Sequence, residues 1–329
     1  MIKTKKKLFV GVGALALLLS VNVQAGNKVI YGEDNRVSAS ESDMAKFVEW
    51  SKSTAVQIEN KKLSAEEGSE MIKISGESLK DSFIGVCEDE KFANTITAGN
   101  CSGFLVGPDL LVTAGHCMKP SFWNPDKKPC DEYQWVFGFT TASATSSSEA
   151  VVAKKDVYKC KEVVSMQLSN TSKNDYALVR LDRVVEDREP LKFRMSGQIE
   201  EGAPIVVIGH PSGLPTMIAD GANVRSNVSD FYFNANLDTF GGNSGSAVFN
   251  VETGEVEGIL VRGERDYEAD PNLGCKRVYK CENDSCRGED VTRITVIPEL
   301  VPGMTPDEPE APVTPEFDFG SLLGDLVTQ

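Results

Sequence analysis

The chain has 329 residues, 40% of them hydrophobic and 25% charged, with 49 acids against 34 lysines and arginines and a formal net charge of −15. That length can bury an ample core in one large domain or two smaller ones. The acidic balance argues against nucleic acid and anionic membrane surfaces as partners.

The first 25 residues have their own pattern. Lys3, Lys5, Lys6 and Lys7 form a basic start, residues 8–19 form an apolar run, and Val23-Gln24-Ala25 offers a small-residue cleavage site. This is the pattern of a secretory signal peptide, with an apolar run too short to span a bilayer. The expectation is a secreted protein, extracellular or periplasmic, with no membrane association after cleavage. Eight cysteines fit an oxidising compartment and read as disulfides. Cys275, Cys281 and Cys286 lie close enough in sequence to suggest zinc, but with only two histidines in the chain disulfides are the better reading.

Residues 26–300 form the expected working domain. Met44, Phe47 and Val48 sit at helical spacing, and residues 54–58 read as a first strand. Residues 59–82 are polar and rich in Ser, Glu and Lys, which predicts an exposed loop or a pro-region insertion. From Cys101 short strands follow regularly: 104–106, 110–112, 134–139, 150–153, 163–168 and 176–181, then 204–208, 223–225, 231–235, 246–249 and 256–261. Many short strands with Gly, Asn and Pro turns indicate an all-β antiparallel sandwich or barrel. Residues 301–329 are an acidic, proline-rich tail, read as disordered, with residues 317–327 able to dock as a short amphipathic patch.

Three motifs carry chemistry. Gly241-Gly242-Asn243-Ser244-Gly245-Ser246 sets glycines around a serine, so that backbone N–H groups can converge on a developing oxyanion. A serine hydroxyl needs a base to take its proton, and histidine has the suitable pKa. His116, in Thr113-Ala114-Gly115-His116-Cys117, is the candidate, and Asp175, in Asn174-Asp175-Tyr176-Ala177-Leu178, would orient it. The other histidine, His210, sits in a turn-like Gly209-His210-Pro211-Ser212-Gly213 and reads as structural. The chain order His, Asp, Ser is that of the chymotrypsin type of triad.

With these motifs the sequence resembles the secreted, bacterial-type chymotrypsin-like (trypsin-fold) serine proteases. The Ser244 stretch is most similar to the glutamyl-endopeptidase-like branch. The resemblance runs from about residue 29, where Val29-Ile30-Tyr31-Gly32 resembles a mature start, to about residue 297. It implies two six-stranded β-barrels with the active site between them, a Cys101–Cys117 disulfide beside the base, and an oxyanion hole from the N–H groups of Gly242 and Ser244. It implies protein or peptide substrates and no cofactor or metal.

Asp238 stands six residues before Ser244, where trypsin-like relatives place the carboxylate of the primary pocket. That position implies Arg or Lys specificity, with Thr239 beside it, although Asp238 could equally cap a loop. The glutamyl branch uses a histidine after the serine, where this chain has Leu260-Val261-Arg262-Gly263; Arg262 is the residue there that could attract acids. Asn243 replaces the Asp that pairs with a new N-terminus in animal relatives, so any activation must use other contacts. The leading expectation is a serine endopeptidase. The alternatives are a Glu-specific enzyme and a catalytically silent binding protein.

Overall fold

Short runs of alternating apolar residues, punctuated by Gly, Pro and Asn, roll this chain into two closed antiparallel sheets. The computed structural model describes residues 29–120 and 125–302. The expected signal peptide and nearly all of the acidic tail therefore lie outside the described residues. The first barrel comprises β1 (Thr54–Glu59), β2 (Cys101–Leu105), β3 (Leu110–Thr113), β4 (Tyr133–Phe137), β5 (Val157–Leu168) and β6 (Asp175–Leu181), in the order β1-β2-β3-β6-β5-β4 closing back on β1. The second comprises β7 (Pro204–Gly209), β8 (Met217–Ser226), β9 (Tyr232–Ala235), β10 (Ala247–Asn250), β11 (Val256–Arg262) and β12 (Glu289–Arg293), closed by pairing of β7 with β8. Its order, β7-β8-β9-β12-β11-β10, repeats the connectivity of the first barrel. Closure leaves neither barrel with a free sheet edge.

The barrels meet across a shared apolar cluster. Phe104, Val112, Ala114, Tyr176 and Leu178 come from the first, and Val206, Ile208, Phe249, Ile259 and Val261 from the second. A helix at Ala45–Ser51 lies over this seam, with Trp50 stacked on Phe249 at 4.8 Å between ring centroids. The β3-to-β6 pairing sets Thr113 opposite Ala177. The ends of these two strands therefore stand together at the seam, which is where the His116 and Asp175 motifs begin.

Two expectations need correction, and one strand went unread. Residues 59–82 are not an open loop: Met71–Ser75 pairs with Leu63–Ser64 on one side and Glu149–Ala153 on the other in a three-stranded sheet. Ile74 enters a core with Ile58 and Val152, because the alternation of Ile72 and Ile74 finds its partner strand about 75 residues downstream. For the same reason residues 150–153 belong to this side sheet and not to the barrel. The strand Glu289–Arg293 was not legible as one, because three of its five residues are charged, yet all five are buried. Four disulfides join Cys87 to Cys275, Cys101 to Cys117, Cys130 to Cys160 and Cys281 to Cys286.

Phe249→Ala should destabilise the protein by about 3–5 kcal/mol, because the ring is fully buried between Trp50 and the seam. Urea unfolding followed by tryptophan fluorescence checks this.

Candidate active site

His116 stands on a short 3-10 turn, Gly115–Met118, directly after β3, and Asp175 opens β6. Two hydrogen bonds lock them together. The backbone N–H of His116 donates to Asp175 Oδ1 at 3.0 Å, and the imidazole Nδ1 lies 2.8 Å from Oδ2. An ionised carboxylate can only accept, so Nδ1 carries a proton and Nε2 is left with its lone pair. The carboxylate is buried while the imidazole stays partly open. Gly115 makes this approach possible: a Cβ there would stand 2.3 Å from the Gln167 carbonyl oxygen and 3.1 Å from Asp175 Oδ1.

Ser102 of β2 ties the Ser244 loop to the first barrel. The Ser102 N–H donates to the Ser244 carbonyl at 2.8 Å, and the Ser102 hydroxyl donates to the Gly242 carbonyl at 2.8 Å. The same hydroxyl accepts from the His210 N–H at 3.0 Å. The Cys117 sulfur, bonded to Cys101, lies 3.7 Å from the Ser244 carbonyl oxygen. Gly242 and Gly245 have φ of +95° and +91°, a region other residues rarely adopt. A Cβ on Gly245 would stand 2.0 Å from the Ser102 carbonyl oxygen. Asn243 is buried, its amide oxygen accepting from the Ser246 hydroxyl at 3.2 Å. No sequence signal marked Ser102 beyond its place next to Cys101.

His210 lies away from this chemistry. It is buried, stacks on Phe139, and its Nδ1 sits 3.0 Å from the Leu214 carbonyl. Burial pushes its pKa down to about 4, so the ring is neutral near pH 7.

The expected specificity residues are placed differently from the expectation. Asp238 does not face a substrate pocket: Oδ1 accepts from the Tyr31 N–H at 2.7 Å and Oδ2 from the Asn35 N–H at 3.0 Å. Its carboxylate binds the N-terminal segment, whose Val29 and Ile30 are fully buried and whose Val29 carbonyl accepts from the Thr239 N–H. Arg262 turns away too, bonded to Asp290 at 2.9 Å and lying over the Tyr232 ring, because the neighbouring strand supplies a buried carboxylate. Thr239 gives its hydroxyl to Glu289 at 2.6 Å, and the other Glu289 oxygen accepts from the Glu264 N–H at 3.0 Å. This carboxyl lies against Gly263, where a Cβ would overlap it. Glu289 was missed because it sits in a strand that the sequence disguised.

Cys101, His116 and Cys117 are the group of potential metal ligands among the described residues. Both sulfurs are bonded to each other, which leaves one imidazole and no thiolate, so this group does not suit a metal ion.

Residues 101–259, which include His116, Asp175 and Ser244, match the family model of the trypsin-like peptidase domain. That match, just under half of the chain, supports a trypsin-like serine protease. It is similar to a protein of Bacillus subtilis (strain 168) named extracellular metalloprotease, at 24% identity over 195 residues, covering 56% of this chain and 57% of that one. The chain thus spans little more than half the length of that relative. Among solved structures it is similar to a Glu endopeptidase (16% identity, TM-score 0.45, 80% of this chain and 93% of that chain). It is also similar to the VesB protease of Vibrio cholerae (13% identity, TM-score 0.44, 82% and 65%).

Two outcomes follow from this geometry. Ser102→Ala takes the hydroxyl partner from the half-buried Gly242 carbonyl and the buried His210 N–H and should destabilise the fold by about 1–3 kcal/mol, read by urea unfolding. Burial raises the Asp238 pKa from 3.8 to about 6. The folded state therefore binds this proton more tightly than the unfolded chain does, so stability falls as pH rises from about 4 to about 6 and stays lower above. Asp238→Asn should flatten that stretch of the stability–pH curve.

Proposed function

We propose that the chain is a secreted serine endopeptidase that cleaves protein or peptide substrates through an acyl-enzyme on Ser244. The observation that carries this reading is the double hydrogen bond of His116 to Asp175, standing beside a serine loop that Ser102 ties to the same barrel. Four disulfides support an oxidising destination, and no helix among the described residues is long and apolar enough to cross a membrane.

In this reading His116 Nε2 takes the Ser244 proton as Oγ attacks the scissile carbonyl. Asp175 keeps the imidazole in the required tautomer and offsets the charge it gains. The N–H groups of Gly242 and Ser244 hold the oxyanion, each worth roughly 100- to 1000-fold in rate. Collapse of the tetrahedral species breaks the C–N bond, and His116 returns the proton to the departing amine. Water, activated by the same imidazole, then hydrolyses the ester and frees the acid.

For primary specificity we infer a preference for Arg or Lys, anchored on Glu289. Its carboxylate, fully buried, lies between Thr239, five residues ahead of Ser244, and Gly263, the residue after β11. A cationic side chain entering there gains a charge-assisted hydrogen bond, whereas a Glu side chain is repelled. Arg262, held by Asp290, supplies no counter-charge for an acid.

Ser244→Ala should lower kcat by about 10⁶-fold while leaving the unfolding midpoint in place. Hydrolysis retained in that variant would contradict the mechanism. Glu289→Gln should reduce kcat/KM for Arg and Lys peptides by about 10- to 100-fold relative to neutral peptides, measured on paired reporters with circular dichroism as the folding control.

A further inference from the structure

In acyl transfer the base hands its proton to the leaving amine, so the part of a substrate beyond the scissile bond lies against the imidazole. Two cavities occupy that side. One, of about 200 Å³, is lined by His116 and the Cys101–Cys117 disulfide; the other, of about 490 Å³, reaches Gly241 and Gly242. Asn100, exposed, borders both, so the two cavities adjoin there, one beside His116 and the other beside Gly241 and Gly242; together they are referred to as the groove.

The charge of this groove opposes that of the chain. Lys62, Arg265 and Lys276 line the larger cavity with Glu77 and Asp266, and Lys119 and Lys127 line the smaller one with Glu132. Two of the three acids are engaged: Glu132 pairs with Lys127 at 2.9 Å, and Asp266 accepts from the Gly241 N–H at 2.9 Å. Lys119 and Lys276 are exposed and enter no ion pair among the described residues. With Lys127 and Glu132 offsetting each other, Lys62, Lys119, Arg265 and Lys276 face Glu77 and Asp266, so the lining is net positive in a protein of net charge −15. A net positive lining raises the local concentration of acidic groups.

We propose that this groove is a leaving-side subsite that selects peptides carrying Asp or Glu at the first positions after the scissile bond. The proposal rests on the serine-peptidase reading of the same site. Acidic side chains there meet Lys119 beside the imidazole and Lys276 and Arg265 further along. The almost fully exposed Phe83 at the larger cavity gives the peptide an apolar wall. Because the cations are exposed, each contributes modestly and the effect is screened by salt.

The test compares quenched fluorescent peptides that share one acyl side and carry Asp-Glu, Ala-Ala or Lys-Lys after the scissile bond. A nitroanilide with the same acyl side and no leaving peptide serves as reference. The proposal expects kcat/KM about 3- to 10-fold higher for Asp-Glu than for Ala-Ala at low ionic strength, with the ratio shrinking toward one in 1 M salt. The double variant Arg265→Glu with Lys276→Glu should lose or invert that ratio while hydrolysing the nitroanilide as the parent does. An equal ratio in the parent, or one unchanged in the variant, overturns the subsite proposal and leaves the peptidase reading standing. Failure of the parent to hydrolyse every reporter, the nitroanilide included, overturns the peptidase reading and the subsite with it.

Discussion

One buried serine holds the two halves of this molecule in functional register. Ser102, on the second strand of the first barrel, bonds through its N–H to Ser244, through its hydroxyl to Gly242 and His210, and through its carbonyl to the Thr113 hydroxyl. The strand bearing Ser102 pairs with the one leading to His116, and that strand pairs in turn with the one opened by Asp175. The Ser244 loop belongs to the other barrel, so its position relative to the imidazole depends on contacts across the seam. The glycines follow from the same constraint. At Gly245 the chain passes so close to the Ser102 carbonyl that any side chain would displace one of them.

Buried charge organises the second barrel. Its last strand, Glu289–Arg293, is fully buried although it carries two acids and an arginine. Each of these ions has partners: Glu289 takes Thr239 and the Glu264 N–H, Asp290 takes Arg262, and Arg293 reaches the carbonyls of Ser229 and Asn227. Burial without such partners would cost several kcal/mol per ion. Asp238 is a related case, a buried carboxylate that grips the N-terminal segment through two backbone N–H groups. Asp238 thereby sets where the N-terminal segment docks.

The parts of this architecture that depend on local pattern were legible in the sequence. Alternating apolar residues announced most of the barrel strands, and Gly242 and Gly245 marked where the serine loop takes a backbone conformation that other residues rarely adopt. What was not legible depends on partners distant in sequence. Glu289-Asp290-Val291-Thr292-Arg293 looks like solvated chain until Arg262, Thr239 and Ser229 are brought to it. Met71–Ser75 looks like loop until Glu149–Ala153 pairs with it. Asp238 has the right spacing for a specificity residue, but spacing does not say which way a carboxylate faces. The N-terminal segment competes for it and holds it.

The most direct test of the account is to catch the acyl-enzyme itself. Protein lacking residues 1–25, with its disulfides formed, is mixed with an active ester at mildly acidic pH, where deacylation is slow, and its intact mass is read within seconds. The account predicts one acyl group per chain, carried on the peptide containing Ser244 and released on return to neutral pH. A folded protein that gains no acyl group, or gains it on a residue other than Ser244, would contradict it.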